Sequence, residues 1–320
     1  MAAVSAVSAT VPGVASLCAG QRQSGRCSAA AAELAVPREH SSTKWSCSIS
    51  RSGARSSGML GIPLQAANTL STSRVSKQHR RSSVTRCMEA EEPTVDNSTV
   101  LVVGGGGVGL ETIKALSMAG SWITGYQRSD KFRKDIEGLG AMLAIGDVLD
   151  TATIEKTLKS NSFDAIVCTV GGGTTDPNVD QQGPINLVDA AKKAGVKRFI
   201  LISSVGVGDS RQAVDERTIQ VLLKVLEAKE VAEDYVKQSG LEWTIIRPGG
   251  LLSSAPPSGK GVLTENLTVA GLIHRTDVAS LVLKIIFDKR TYSKTYTAID
   301  AEKVMPPGRS MDGIEFLSLA

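Results

Sequence analysis

Residues 100–110 read VLVVGGGGVGL. Four apolar residues run into four consecutive glycines and then into Val108-Gly109-Leu110. Glycine loses more conformational freedom on folding than any other residue, so a run of four is costly unless the backbone needs the room. A strand that ends this way and feeds a helix brings main-chain amides close to a charged ligand, where side chains would stand in the way. Gly104, Gly106 and Gly109 satisfy G-x-G-x-x-G, and Gly107 and Val108 complete the loop. Between a buried strand and a helix, that spacing is the phosphate-binding turn of a dinucleotide fold. The competing reading is a tight turn without a ligand.

The rest of the chain supplies the context. TVLVVG reads as a strand and VGLETIKALSMAG as a helix with apolar residues at helical spacing. SWITGY (strand), KFRKDIEGLG (helix), AMLAIGD (strand), TATIEKTLKS (helix) and FDAIVCTV (strand) follow. QGPINLVDAAKKAG is a helix closed by Gly195, VKRFILISS a strand, and LEWTIIRPGG a sixth strand after a long helix from Glu216 to Gln238. Continuous apolar strands alternating with helices imply a parallel sheet covered on both faces. The expected fold is α/β, a doubly wound Rossmann-type parallel sheet in one domain over residues 88–300, with a C-terminal tail at 301–320.

The second strand bears on which dinucleotide such a loop would hold. An acid about 20 residues past the glycines binds the ribose 2′-hydroxyl of NAD. Here the region reads GYQRSDKFRK, with no acid before Asp130, Arg128 at the strand's end and Lys131 beyond. Cations there suit a 2′-phosphate, which favours NADP over NAD. The plainer alternative is a solvated strand end.

The overall charge of +4 conceals an uneven distribution. Residues 1–87 hold eleven Lys and Arg against Glu33 and Glu39, while the remainder carries 25 basic and 30 acidic residues. The first 21 residues have no charged side chain, and Ser- and Arg-rich stretches follow. That composition is expected of a disordered transit peptide, cleaved near Cys87–Glu89. Chloroplast import, to the stroma or with thylakoid association, is the first reading and mitochondrial import the second. The basic excess is thus a targeting feature, and the acidic balance of the remainder, with 4% aromatic residues in the chain, argues against nucleic-acid binding. No apolar run has the length of a membrane span. Past Cys87 the chain keeps one cysteine, Cys168, and one histidine, His274, so neither a disulfide framework nor a His/Cys metal site is expected.

Several segments together resemble the NmrA-like, or atypical, short-chain dehydrogenase/reductase family. They are VLVVGGGGVG, the GDVLD after strand three, VDQQGPINLVDAAKKAGVKRFILISSVGV, KEVAEDYVKQSGLEWTIIRPGG and IHRTDVASLVLKII. The likeness is greatest to compact plastid and cyanobacterial members. It implies that Asp147 and Val148 contact the adenine, that the backbone from Thr169 to Gly171 lines the ribose, and that Pro248, Gly249 and Gly250 cover the nicotinamide. Arg275 and Asp277 are expected to anchor the last helix. Two departures stand out. The first loop is one residue shorter than the family's G-A-x-G-x-x-G. Catalytic members of the wider superfamily also carry Tyr-x-x-x-Lys; Lys229 matches its lysine, but Val225 replaces the tyrosine and Tyr235 lies on a different face.

Lys229 is thus expected to bind the cofactor's ribose and assist proton transfer, with Ser203 and Ser204 contacting a substrate oxygen. A reductase of a quinone, flavin, tetrapyrrole or conjugated carbonyl tolerates a missing phenol, since such acceptors take their proton from water. A cofactor-sensing scaffold or assembly factor with a plastid protein partner tolerates it equally. Specificity is expected in residues 205–223 and 251–266. The tail is either a docking segment or a poorly ordered terminus.

Overall fold

The computed structural model describes residues 92–253, 255–306 and 311–319. The transit-peptide reading falls outside them. The first strand, β1 (Thr99–Val103), opens a regular alternation: α1 (Val108–Met118), β2 (Trp122–Gln127), α2 (Arg133–Gly138), β3 (Met142–Ile145), α3 (Thr151–Ser160), β4 (Ala165–Cys168), α4 (Pro177–Ala194), β5 (Arg198–Ile202), α5 (Glu216–Lys237) and β6 (Glu242–Pro248). Five elements that the sequence pattern did not separate follow: β7 (Gly250–Leu252), β8 (Gly261–Thr264), β9 (Ala270–His274), β10 (Lys294–Asp300) and β11 (Val304–Met305). Between β9 and β10 lies α6 (Arg275–Ile285).

The main sheet has the order β3-β2-β1-β4-β5-β6-β10-β8. Its first six strands form the doubly wound 3-2-1-4-5-6 arrangement. β10 joins β6 in parallel, and β8 closes that edge antiparallel. β7, β9 and β11 make a small separate sheet. Val100 to Val103 are buried on both faces, as a central parallel strand requires. On one face Ile113 and Leu116 of α1 pack with Val278 and Val282 of α6. On the other, Ile154 and Leu158 of α3 meet Leu187 and Val188 of α4 and Val236 of α5.

Helix ends follow local chemistry. Asp150 and Asp215 cap α3 and α5 by accepting the amides of Ala152 and Thr218, each at 3.0 Å. Gly195 ends α4 at φ +79°, a left-handed position suited to glycine. The start of α4 differs from expectation: it begins at Pro177, in the first turn where proline is tolerated, and runs on through Pro184. This carries Asp180 into the helix.

The guanidinium of Arg198 is buried under α6. It donates to the carbonyls of Ile286 (2.5 Å), Ile285 (3.1 Å) and Glu242 (2.9 Å), and its centre lies 4.3 Å from the Tyr292 ring centroid. Desolvation pulls its pKa down to about 10, so it stays cationic at neutral pH and complements the negative end of the helix. The described tail residues lie along β8. Leu317 donates its amide to Leu263 (2.8 Å), and Leu317 and Leu319 pack on the core. They cover part of a sheet edge that would otherwise be open to other strands. Among the described residues no helix is long and apolar enough to cross a membrane, and no cluster of His, Cys, Asp or Glu is placed to hold a metal ion.

Candidate functional site

The loop between β1 and α1 is shaped by what surrounds each glycine. Gly104 has φ +125°, and a Cβ there would stand 2.2 Å from Thr169 Oγ1. A Cβ on Gly105 would stand 1.5 Å from Gln127 Oε1, and one on Gly109 2.2 Å from the Gly104 carbonyl oxygen. Side chains at these positions would overlap the ends of β4 and β2 and the loop itself. Gly104 donates to Tyr126 O and Gly109 to Gly106 O, both at 3.0 Å. Among the described residues, the amides of Gly105, Gly106 and Gly107 have no such partner. These donors at the start of α1 form a cradle suited to a diphosphate.

A cleft of about 300 Å³ opens beside the cradle at the switch point between β1 and β4. Gly104, Gly106, Arg128, Val148, Thr169 and Gly171, all singled out in the sequence, line it together with Tyr126 and Gln127. The reading of the sequence missed Gln127. It is buried, and its Nε2 has no hydrogen-bond partner among the described residues. A buried amide donor costs free energy until something accepts from it. The signal in the sequence was a polar residue closing an otherwise buried strand. Cradle, orphaned amide and flanking Arg128 fit a dinucleotide.

Other candidates lie further out. Asp147 accepts the amide of Leu149 at 2.9 Å and gives its carbonyl to the Tyr126 hydroxyl at 2.9 Å, the contacts of a turn acid. Lys131 is exposed, its ammonium 5.2 Å from the Phe132 ring centroid. Pro248 accepts from Val205, and Gly249 donates to Ala298, both at 3.0 Å. A Cβ on Gly249 would stand 2.1 Å from Gly271 O, so this turn is packed tightly on β9. Neither Pro248 nor Gly249 lines the cleft. Arg275 donates to Leu252 O, and Asp277 accepts the Gly259 amide at 3.2 Å, so the start of α6 holds Leu252 and Gly259.

Lys229 is paired. Its ammonium lies 2.7 Å from Asp180 Oδ1, while Asp180 Oδ2 accepts the Gly172 amide at 2.8 Å. The Asp180 side chain is 1% exposed and that of Lys229 15%. Nearby, burial pushes the Cys168 thiol up to about 12, against the pull of Lys229, so the thiol is neutral at physiological pH. The serines are engaged within the fold. Ser203 Oγ donates to Glu233 Oε1 at 2.5 Å, and Arg247 grips both oxygens of that buried carboxylate at 3.0 and 2.7 Å while reaching Asp209 at 2.5 Å. Ser204 Oγ donates to Val205 O at 3.0 Å. The Tyr235 hydroxyl donates to Asp189 on α4 at 2.6 Å.

A glycine cradle at the switch point of a doubly wound sheet defines a dinucleotide-binding protein. Comparison with known proteins makes this specific: residues 104–289 match the model of the NAD(P)H-binding family, and the chain belongs to that family, among its NmrA-like, atypical short-chain dehydrogenase/reductase members. An uncharacterized chloroplastic protein of Arabidopsis thaliana is 34% identical over 140 residues, 41% of this chain and 50% of that protein. The match thus spans half of that relative's length. The photosystem II assembly factor Ycf39 of Synechocystis sp. is 22% identical over 213 residues, 62% of each chain. Among solved structures, ChuY, an anaerobillin reductase from Escherichia coli O157:H7, superposes with TM-score 0.59 at 27% identity, covering 64% of this chain and 98% of ChuY.

Proposed function

We propose that this chain is an NADPH-dependent reductase of a small conjugated acceptor, working in the chloroplast. The carrying observation is the cleft itself, where unpartnered loop amides, the buried Gln127 amide and Arg128 converge with no acid at the end of β2. When bound, the nicotinamide supplies the hydride. The chain's own part is to hold it: Gly104 to Gly109 take the diphosphate, Arg128 the 2′-phosphate, and Val148 and the Thr169–Gly171 backbone flank the adenosine side. Lys229, joined through Asp180 to Gly172 beside the cleft wall, is the proton donor. The chloroplastic relative supports the location, and the likeness to ChuY puts anaerobillin first among acceptors to try.

A second reading is a cofactor-sensing assembly factor without turnover. It is favoured by hydroxyls spent inside the fold, those of Ser203, Ser204 and Tyr235, and by the relative Ycf39. Calorimetric titration with NADPH and NADH, followed by NADPH oxidation against anaerobillin, quinones, flavins and conjugated carbonyls, separates the two. Tight NADPH binding with acceptor-dependent oxidation supports the reductase. Tight binding with no oxidation above background on any acceptor supports the sensor. A fluorescent fusion of residues 1–90 tests the location, and cytosolic fluorescence refutes it.

A further inference from the structure

The G-x-G-x-x-G spacing accounts for the glycines at 104, 106 and 109, but it leaves position 105 free. Nor does the backbone demand a glycine there. Gly104 and Gly107 have positive φ and Gly105 does not, so its main chain can carry a side chain. What excludes one is Gln127. A Cβ on Gly105 would stand 1.5 Å from Gln127 Oε1, 2.6 Å from its Cδ and 2.9 Å from its Cβ. From Cβ to the amide, the glutamine lies across Gly105, and the two residues fit each other.

Both residues line the cleft at the glycine loop, and the described residues that line it include no carboxylate. Gln127 closes β2, the place from which an acid accepts the ribose 2′-hydroxyl in NAD-binding proteins. Arg128, next along the chain, is exposed, whereas Gln127 is 7% exposed and is the side chain laid over the loop. Within its amide, Nε2 is sealed from solvent without a partner among the described residues, while Oε1 rests against Gly105. A half-turn about the last side-chain bond exchanges the two atoms, so the position against Gly105 can offer an acceptor or a donor. Neither arrangement carries charge. A buried donor without a partner costs free energy, which favours the turned amide once an anion stands at Gly105.

We propose that Gln127 determines which dinucleotide the cleft prefers, with Gly105 making room for it. The inference rests on the dinucleotide reading of the cleft and adds a specificity-determining residue to it. Where an acid would repel a 2′-phosphate, Gln127 presents a neutral amide that turns and donates to it. Arg128 contributes charge from the surface, and Gln127 contributes a hydrogen bond from within the fold.

The test is calorimetric titration of the full chain with NADPH and NADH at mildly alkaline pH, in the wild type and in Gln127→Glu, Gln127→Met and Gly105→Ala. Gln127→Glu keeps the shape and adds a charge; it lowers NADPH affinity at least tenfold and NADH affinity less than threefold. Gln127→Met keeps the unbranched chain and removes the amide. It also lowers NADPH affinity about tenfold and NADH affinity less than threefold, since a bond to a charged group is worth more than one to a hydroxyl. It removes a buried donor without a partner, so it melts no lower than wild type and decides the question should the charged variant misfold. Gly105→Ala displaces the amide and shifts the ratio of the two affinities toward NADH. In the Gln127→Met background the same methyl changes that ratio less than twofold. The ratio is the readout because a general disturbance of the loop weakens both dinucleotides alike. Wild-type protein that binds neither dinucleotide overturns the reading of the cleft itself. Wild-type protein that binds but favours NADH, or variants at 127 that keep its ratio, overturn the assignment of Gln127 alone. An unchanged ratio in Gly105→Ala overturns the pairing of Gly105 with Gln127.

Discussion

Gly109→Ala tests how the glycine loop holds α1 against the sheet. The added methyl would stand 2.2 Å from Gly104 O, 2.9 Å from Gly104 C and 2.7 Å from Thr169 Oγ1. Carbon and oxygen in contact sit about 3.3 Å apart or more, so the start of α1 must move by roughly 1 Å. Because the main obstacle is backbone, no rotamer change relieves it. Overpacking of this kind costs about 1–3 kcal/mol. For a domain of this size each kcal/mol lowers the melting temperature by about 2–4 °C, giving a fall of roughly 2–12 °C. The same movement carries the loop amides away from the diphosphate, and one charge-assisted hydrogen bond lost costs about 10–100-fold in affinity. Gly106→Val is the matched control, since a Cβ at Gly106 would meet nothing closer than the Phe132 ring at 3.4 Å. It is expected to melt like wild type and lose NADPH binding. Thermal melts followed by circular dichroism, with calorimetry on the same samples, measure both effects. Gly109→Ala melting within about 1 °C of wild type with unchanged NADPH affinity would refute the argument.

Arg128→Asp is expected to weaken NADPH binding at least tenfold more than NADH binding, and equal losses would remove Arg128 from the 2′-phosphate. Arg247→Met leaves the buried Glu233 carboxylate without its main partner and should cost about 3–5 kcal/mol in a urea melt. The double variant with Glu233→Leu should recover more than half of that loss; a single variant costing under about 1 kcal/mol would contradict the buried pair's role. Cys168 titrates in the fold at about 12, above its ordinary value near 9, so the contribution of its neutral thiol is whole below the ordinary value and lost as pH climbs from about 9 toward 12. Peptide mapping should therefore find Cys168 unalkylated by iodoacetamide at moderately alkaline pH in the native protein and alkylated in urea. Native labelling would show that the thiol is reachable.

Local signals were legible in the sequence. The glycine loop, the central apolar strands and the Glu216 start of α5 each rest on neighbours within a few residues, and the structure places them where the pattern does. What escaped depends on residues far apart. β10 enters the sheet beside β6, and β8 returns antiparallel to it, although neither strand has a pattern that names its partner. Asp180 was hidden for a related reason. Pro184 has no amide to donate to the carbonyl four residues back, which makes the segment read as the start of a helix rather than its interior. The partner of Lys229 therefore lay on a stretch that looked like loop. Ser203 looked like a free hydroxyl at the end of a strand because Glu233, which accepts from it, and Arg247, which holds that carboxylate, come from α5 and β6.

On the proposed reading, this distribution of donors limits the acceptor. A short-chain reductase that makes an alcohol delivers a proton from a phenol to an oxygen that has just gained negative charge. Here Val225 stands at the phenol's position, Ser203 is bound to Glu233 and Tyr235 to Asp189. The donor left near the cleft wall is the Lys229 ammonium, held by a carboxylate that also fixes the Gly172 amide. An isolated ketone, with its charge on one oxygen, is poorly served by that arrangement. A conjugated acceptor spreads the incoming charge over many atoms and can take its proton from water or from an ammonium at its edge. The lysine–aspartate pair thus favours conjugated acceptors over simple carbonyls, and the same pair explains how a reductase of this fold can work without its tyrosine.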